Sequence, residues 1–274
     1  DDLGYGEIGS YGQEKIETPN LDKLASGGMV FTDHYAGAPV CAPSRCVLLT
    51  GKHLGHAHIR GNDEWASRGE VWSFEKAVND PNLEGQRPLP EGTNTIGSLL
   101  QQQGYVTGIV GKWGLGAPLT NGIPTNRGFD FFYGYNCQRQ AHTYYPKFLW
   151  KNQEKIWLDN KLVVPGTKLA EGADPMDPES YKDYTLEDYS ADVMFREAMG
   201  FIESSGDQPF FLYYALQQPH VPRTPHERFA GASGLGPRGD VIVEADWCIG
   251  ELIKILESEG LLENTLVILS SDNG

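Results

Sequence analysis

Three stretches of the chain hand a helix over to a short apolar strand, and this repetition restricts the fold more than any other feature. TIGSLLQQQGYVTGIVGKWG predicts a helix over residues 95–103, a stop at Gly104, and a β-branched strand ending near Val110. LEDYSADVMFREAMGFIESSGDQPFFLYYALQQPH predicts a long helix, a Gly-containing turn and an aromatic strand from Phe210 to Leu216. In EADWCIGELIKILESEGLLENTLVILSSDNG, Ile249, Leu252, Ile253 and Leu256 fall on one helical face, and a buried strand is expected from Leu266 to Leu269. Helices alternating with apolar strands predict an α/β fold: a largely parallel central sheet flanked by helices on both faces, in one domain over residues 1–274.

Each strand is followed by a polar cluster: GKWG, QQPH and SDNG, with DDLG at the start of the chain. In an open α/β sheet, ligands bind in the crevice beyond the carboxyl ends of the strands, where these clusters would meet. Residues 60–92 and 117–183 are rich in Gly, Pro, Asn and charge and read as long excursions over one face. The net charge of −15 argues against a nucleic-acid surface, which needs clustered Lys and Arg, and no apolar run of eighteen residues exists to span a membrane. The opening DDLG and the closing SSDNG both read as interiors of structural units, so the chain is expected to be part of a longer protein.

Asp1, Asp2, Asp272 and Asn273 offer four side-chain oxygens and no thiolate, a set suited to a hard cation, Ca²⁺ or Mg²⁺. A single Asp pair is more often a turn or a cap; two pairs at strand ends would repel without a cation between them. Cys41, Cys46, Cys137 and Cys248 have neither zinc-site spacing nor the density of a disulfide framework, although one bridge is compatible with them. In PVCAPSRCVLLTG, Pro43 and Ser44 favour a turn and then a short helix whose N-terminal dipole would face position 41. Cys41 is then a nucleophile or an ordinary buried thiol, and Cys46, inside the apolar run, is the ordinary buried one.

With these residues in view, the chain resembles the formylglycine-dependent sulfatases of the alkaline phosphatase superfamily. Cys41-Ala42-Pro43-Ser44-Arg45 followed by LLTG, the lead-in TPNLDKLASGGMVFTDHYAGAPVC, then GKWGLG, PHVP and SSDNG stand in that family's order over nearly the whole chain. The resemblance implies that a separate maturation enzyme oxidises Cys41 to formylglycine. The hydrated aldehyde would carry two hydroxyls on one carbon, one to attack sulfur and the other to expel sulfate afterwards. It implies a cation site of Asp1, Asp2, residue 41, Asp272 and Asn273, holding Ca²⁺ or Mg²⁺ against a sulfate oxygen. Arg45 would orient the hydrate, Lys112 would contact sulfate, and His220 would protonate the leaving alcohol.

One position departs from the pattern. Many relatives read Gly-Lys-Trp-His-Leu-Gly, where the His takes a proton from the hydrate; here that residue is Gly114. His142, in the aromatic insertion QRQAHTYYP, is the candidate replacement, with His56 and His58 as alternatives. Aromatic residues between Gly128 and Trp157 could stack on a sugar, with Arg139 and His142 reading hydroxyls or sulfate, and His58–Asp63 could line a further subsite. The expected substrate is a sulfated carbohydrate. A phosphate or phosphonate monoester hydrolase and an inactive sulfated-glycan-binding protein are the competing readings. The resemblance further implies a periplasmic or secreted protein and a smaller C-terminal subdomain beyond these residues.

Overall fold

A computed structural model describes all residues 1–274. The helices are α1 (Pro19–Ser26), α2 (Cys41–Thr50), α3 (Phe74–Asn79), α4 (Ile96–Gln102), α5 (Ser190–Ser205) and α6 (Pro237–Ser258). The strands are β1 (Val106–Lys112), β2 (Phe131–Tyr135), β3 (Phe148–Lys151), β4 (Glu154–Trp157) and β5 (Phe210–Ala215). They form one sheet in the order β4-β3-β2-β1-β5. The expected parallel core is β2-β1-β5, and the β3-β4 hairpin extends it with antiparallel pairing.

Residues alternate between the two faces because the strand period is two. Ile109, Phe132, Phe148 and Trp150 face one core with Ala42, Cys46 and Leu49 of α2 and Phe74 and Val78 of α3. Val110, Tyr133, Tyr135 and Leu149 face the other with Met194, Ala198, Met199 and Ile202 of α5 and Leu256 of α6. Helices therefore cover both faces. The sheet packs tightly at Gly111, whose φ is 114° and where a Cβ would come within 2.0 Å of the Ala215 carbonyl oxygen.

Two local expectations are corrected. The helix of the PVCAPSRCVLLTG stretch begins at Cys41, ahead of Pro43 and Ser44 rather than after them, with extended Val40 before it. Pro43 stands in the first turn, where its missing N–H removes no helical bond, so the helix can run through it. The segment Leu266–Leu269 is not a strand. Val267 packs against the second core, but Leu266 and Ile268 are 84% and 78% exposed, and no ladder forms. Apolar composition favours burial, yet a strand also needs a neighbour offering main-chain hydrogen bonds. All four cysteines are free and buried, so the one bridge that was possible is absent.

Candidate active site

Lys112 is the last residue of β1, the middle strand of the parallel core, and Gly111 pairs with Ala215 in β5, so the chain beyond β5 runs beside it. The resulting crevice holds Gln217 to His220 next to Asp1, whose main-chain nitrogen donates to the Gln218 carbonyl at 3.0 Å. Cys41 enters from the other side as the first residue of α2, where unpaired N–H groups and the helix dipole favour negative charge. The Ala42 N–H is held by Asn62 Oδ1 at 2.9 Å.

Ligand atoms of Asp1, Asp2, Cys41 and His220 all lie within 4.8 Å of one another. Arg45, 2% exposed, grips Asp272 Oδ2 through Nε at 2.9 Å and NH2 at 2.8 Å, with Asp1 Oδ1 3.7 Å from NH2. Its NH1 donates to the Lys112 carbonyl, and the Lys112 ammonium binds Asp1, whose carboxylate lies in the same cluster as the Cys41 sulfur. Three carboxylates (Asp1, Asp2, Asp272) thus face two fixed cations, a balance that leaves room for added positive charge. Burial would push Asp272 up, but Arg45 holds its carboxyl well below the usual range. Burial, and then the Arg45 charge, lower Lys112.

Two buried oxygens here, Asp1 Oδ1 and Asn273 Oδ1, have no hydrogen-bond partner. Orphaned oxygens beside carboxylates are what an oxygen-liganded divalent cation would satisfy, so the residues present fit one. Asn273 donates its amide N–H to Asp2, which leaves that carbonyl oxygen free.

His220 lies 3.4 Å from Asp2 Oδ2 through Nε2, and its Nδ1 is 2.7 Å from the Val221 carbonyl. His142 stacks on it with ring centroids 4.4 Å apart and planes 17° from parallel. Burial and then Lys112 lower His220 to about 4; burial and then His220 lower His142 to about 3. Both shifts favour the neutral rings, between which a face-to-face stack meets no charge repulsion.

The structure therefore brings Asp1, Asp2, Cys41, Arg45, Lys112, Asp272, Asn273, His220 and His142 together. Gly114 adopts a φ of 77°, and a Cβ there would touch Gln138 Cβ at 3.5 Å, with Ala42 Cβ at 4.0 Å, so Gln138 occupies that side. Arg139 is not among the clustered side chains. Its guanidinium lies over the Trp72 ring at 5.2 Å and donates to the Trp72 carbonyl at 3.0 Å. His56 and His58 are exposed and line a separate cleft of about 470 Å³ with Lys52 and Arg60. Sequence reasoning missed Gln217, Tyr144 and Glu244, which brace the His220 loop. Gln217 stands in QQPH and Tyr144 in QRQAHTYYP, but neither carried a signal of its own, and only full burial of their polar atoms, as of Glu244, exposes them.

A family model described as Sulfatase matches residues 1–274. An N-acetylgalactosamine-6-O-sulfatase of Bacteroides thetaiotaomicron is 31% identical over 330 residues, covering 100% of this chain and 57% of the relative. Arylsulfatase A of Bos taurus is 36% identical over 282 residues, covering 100% of this chain and 50% of the relative. The chain thus spans about half the length of the curated relatives it matches. A solved protein from the metabolism of multiple glycosaminoglycans by Bacteroides thetaiotaomicron superposes with a TM-score of 0.68 at 30% identity, over 97% of this chain and 59% of that one. A phosphonate monoester hydrolase of Agrobacterium radiobacter, at a TM-score of 0.57 and 14% identity over 96% of this chain and 59% of that one, shares the fold. Motif order, the site at the strand ends and a family match over every residue agree: the chain belongs to the sulfatase family of the alkaline phosphatase superfamily.

Proposed function

We propose that the protein hydrolyses sulfate esters, with a sulfated carbohydrate as its substrate and residue 41 as the nucleophile-bearing position. The observation that carries this reading is the convergence of Cys41, at a helix N-terminus, with Lys112, Arg45 and His220 beside an acidic, oxygen-rich cluster. The names of the relatives, an N-acetylgalactosamine-6-O-sulfatase and an arylsulfatase, support sulfate esters and favour a sulfated amino sugar.

Formylglycine, made from Cys41 by a maturation enzyme, supplies a hydrated aldehyde. Asp1, Asp2, residue 41, Asp272 and Asn273 would hold a Ca²⁺ or Mg²⁺ ion, which would supply charge neutralisation for the bound sulfate. The chain's own residues do the rest. Arg45 fixes Asp272 and holds two carboxylates in one buried place despite their repulsion. Lys112, bound to Asp1 in the cluster that includes Cys41, stabilises charge developing on the transferred group. His220 gives a proton to the leaving alcohol. Its ring is neutral in the free site, and a bound sulfate anion moves its affinity for protons upward. His142 stacks behind His220 and serves as the second proton carrier in place of a side chain at Gly114. The same reading makes this an exported protein, periplasmic or secreted.

Co-expression with a formylglycine-generating enzyme tests the proposal. Mass spectrometry of the peptide containing residue 41 should show conversion of thiol to aldehyde, and the protein should release sulfate from 6-sulfated N-acetylgalactosamine. Faster cleavage of a phosphate ester of the same alcohol would favour the phosphohydrolase reading. An unmodified Cys41 with retained glycan affinity would favour a binding protein.

A further inference from the structure

His142 and His220 are 78 residues apart in the chain, and ring stacking alone is too weak to hold two loops in register. Gln217 lies between them. It is fully buried, and its side-chain amide donates two hydrogen bonds, to the carbonyls of Ala141 and Thr143 (the latter at 2.8 Å), one on each side of His142. Its Oε1 accepts from Ser190 Oγ at 3.2 Å, with the Tyr135 hydroxyl 3.3 Å away. Its own carbonyl accepts the His220 N–H at 3.0 Å. One residue therefore ties the main chain around the first histidine to the main chain of the second. A second tie runs from the Tyr144 hydroxyl to the His220 carbonyl at 3.0 Å.

We propose that Gln217 is a positioning residue that sets the His142–His220 stack and thereby the aim of both rings at the site of Lys112 and residue 41. Both amide protons and the oxygen of Gln217 are engaged, and both donated bonds end on the main chain flanking His142, so its hydrogen bonds fix that loop relative to its own. No shorter or charged side chain offers two donors and an acceptor at this reach. The assignment rests on the sulfate-ester reading only for its kinetic arm.

The test uses the full-length, matured protein labelled with ¹³C at histidine Cε1, its signals assigned through His142→Ala and His220→Ala. At a fixed pH of about 8, where both rings are neutral, each ring shifts the other's signal upfield. Gln217→Met, of similar volume but without donors, is expected to move both signals toward the unstacked position. It is expected to lower kcat on a sulfated sugar by about tenfold or more with little change in KM, as small misplacements of reacting groups do. In the His142→Ala background the same substitution should add less than about a further twofold, because it acts through the ring already removed. Unmoved signals, or an equal loss of kcat in both backgrounds, would overturn the assignment. Should Gln217→Met not fold, Tyr144→Phe cuts the second tie at constant shape, and an unmoved His220 signal in it would equally count against the inference. A wild-type protein without sulfate release would refute the proposed function and leave the ring signals as the measure of Gln217.

Discussion

Replacing Arg45 by Met removes a buried cation and keeps most of the side-chain volume, so it isolates charge compensation in the site. The guanidinium is 2% exposed and makes two bonds to Asp272, one contact to Asp1 and one bond to the Lys112 carbonyl. Without it, the carboxylates of Asp1, Asp2 and Asp272 face Lys112 alone. Removing one partner of a buried ion pair leaves an uncompensated charge and costs about 3–5 kcal/mol. For a chain of this size that is a fall in Tm on the order of 10 °C. Urea denaturation followed by circular dichroism, in EDTA at pH 7, should show it. The deficit should shrink near pH 4, where Asp272, no longer held down by Arg45, takes up a proton and sheds its buried charge. It should also shrink in millimolar Ca²⁺, because a cation binding the folded site stabilises by mass action and has more charge to neutralise in the variant. A loss below about 1 kcal/mol in EDTA, or Ca²⁺ stabilising wild type and variant equally, would refute the reasoning that Arg45 and a cation share the neutralisation of these carboxylates.

Glu84 is buried against the Trp150 Nε1–H, and burial pushes its carboxyl up from 4.5 to about 7. The folded state keeps a proton that the unfolded chain releases, so this group's contribution is fully present below pH 4.5 and declines as pH rises to about 7, by about 3 kcal/mol. Glu84→Gln should therefore match wild type in urea midpoint at pH 4.5 and exceed it at pH 8; equal midpoints at pH 8 would show the carboxyl to be ordinary. Gly114→Ala, at a φ of 77°, should cost about 1 kcal/mol of stability in thermal melts, and no measurable loss would mean the turn relaxes freely. His142→Ala should lower sulfate-ester turnover by about a hundredfold with the fold intact, the usual scale for losing a proton-transfer group; near-wild-type turnover would remove His142 from the chemistry.

Local pattern carried much of this protein. Helix α4 begins after Thr95, whose hydroxyl caps Ser98 N–H at 3.1 Å, and β1 alternates Ile109 and Val110 between the two cores, both readable from spacing alone. Motif order placed Cys41, Arg45, Lys112, His220, Asp1, Asp2, Asp272 and Asn273 at strand and helix ends, and the folded chain gathers those positions. Such features are legible because propensity, capping and period act over a few neighbouring residues. Contacts between distant segments decided the rest. The start of α2 at Cys41 depends on Asn62 receiving the Ala42 N–H, and the missing ladder at Leu266–Leu269 depends on whether another strand lies alongside. The His142–His220 stack and the Gln217 clamp join two loops far apart in sequence, with no shared motif. Hydrogen bonds between segments far apart in sequence have no period to betray them, so the motifs and the resemblance they carry pointed to the chemistry, and only the folded chain showed which histidines lie against each other.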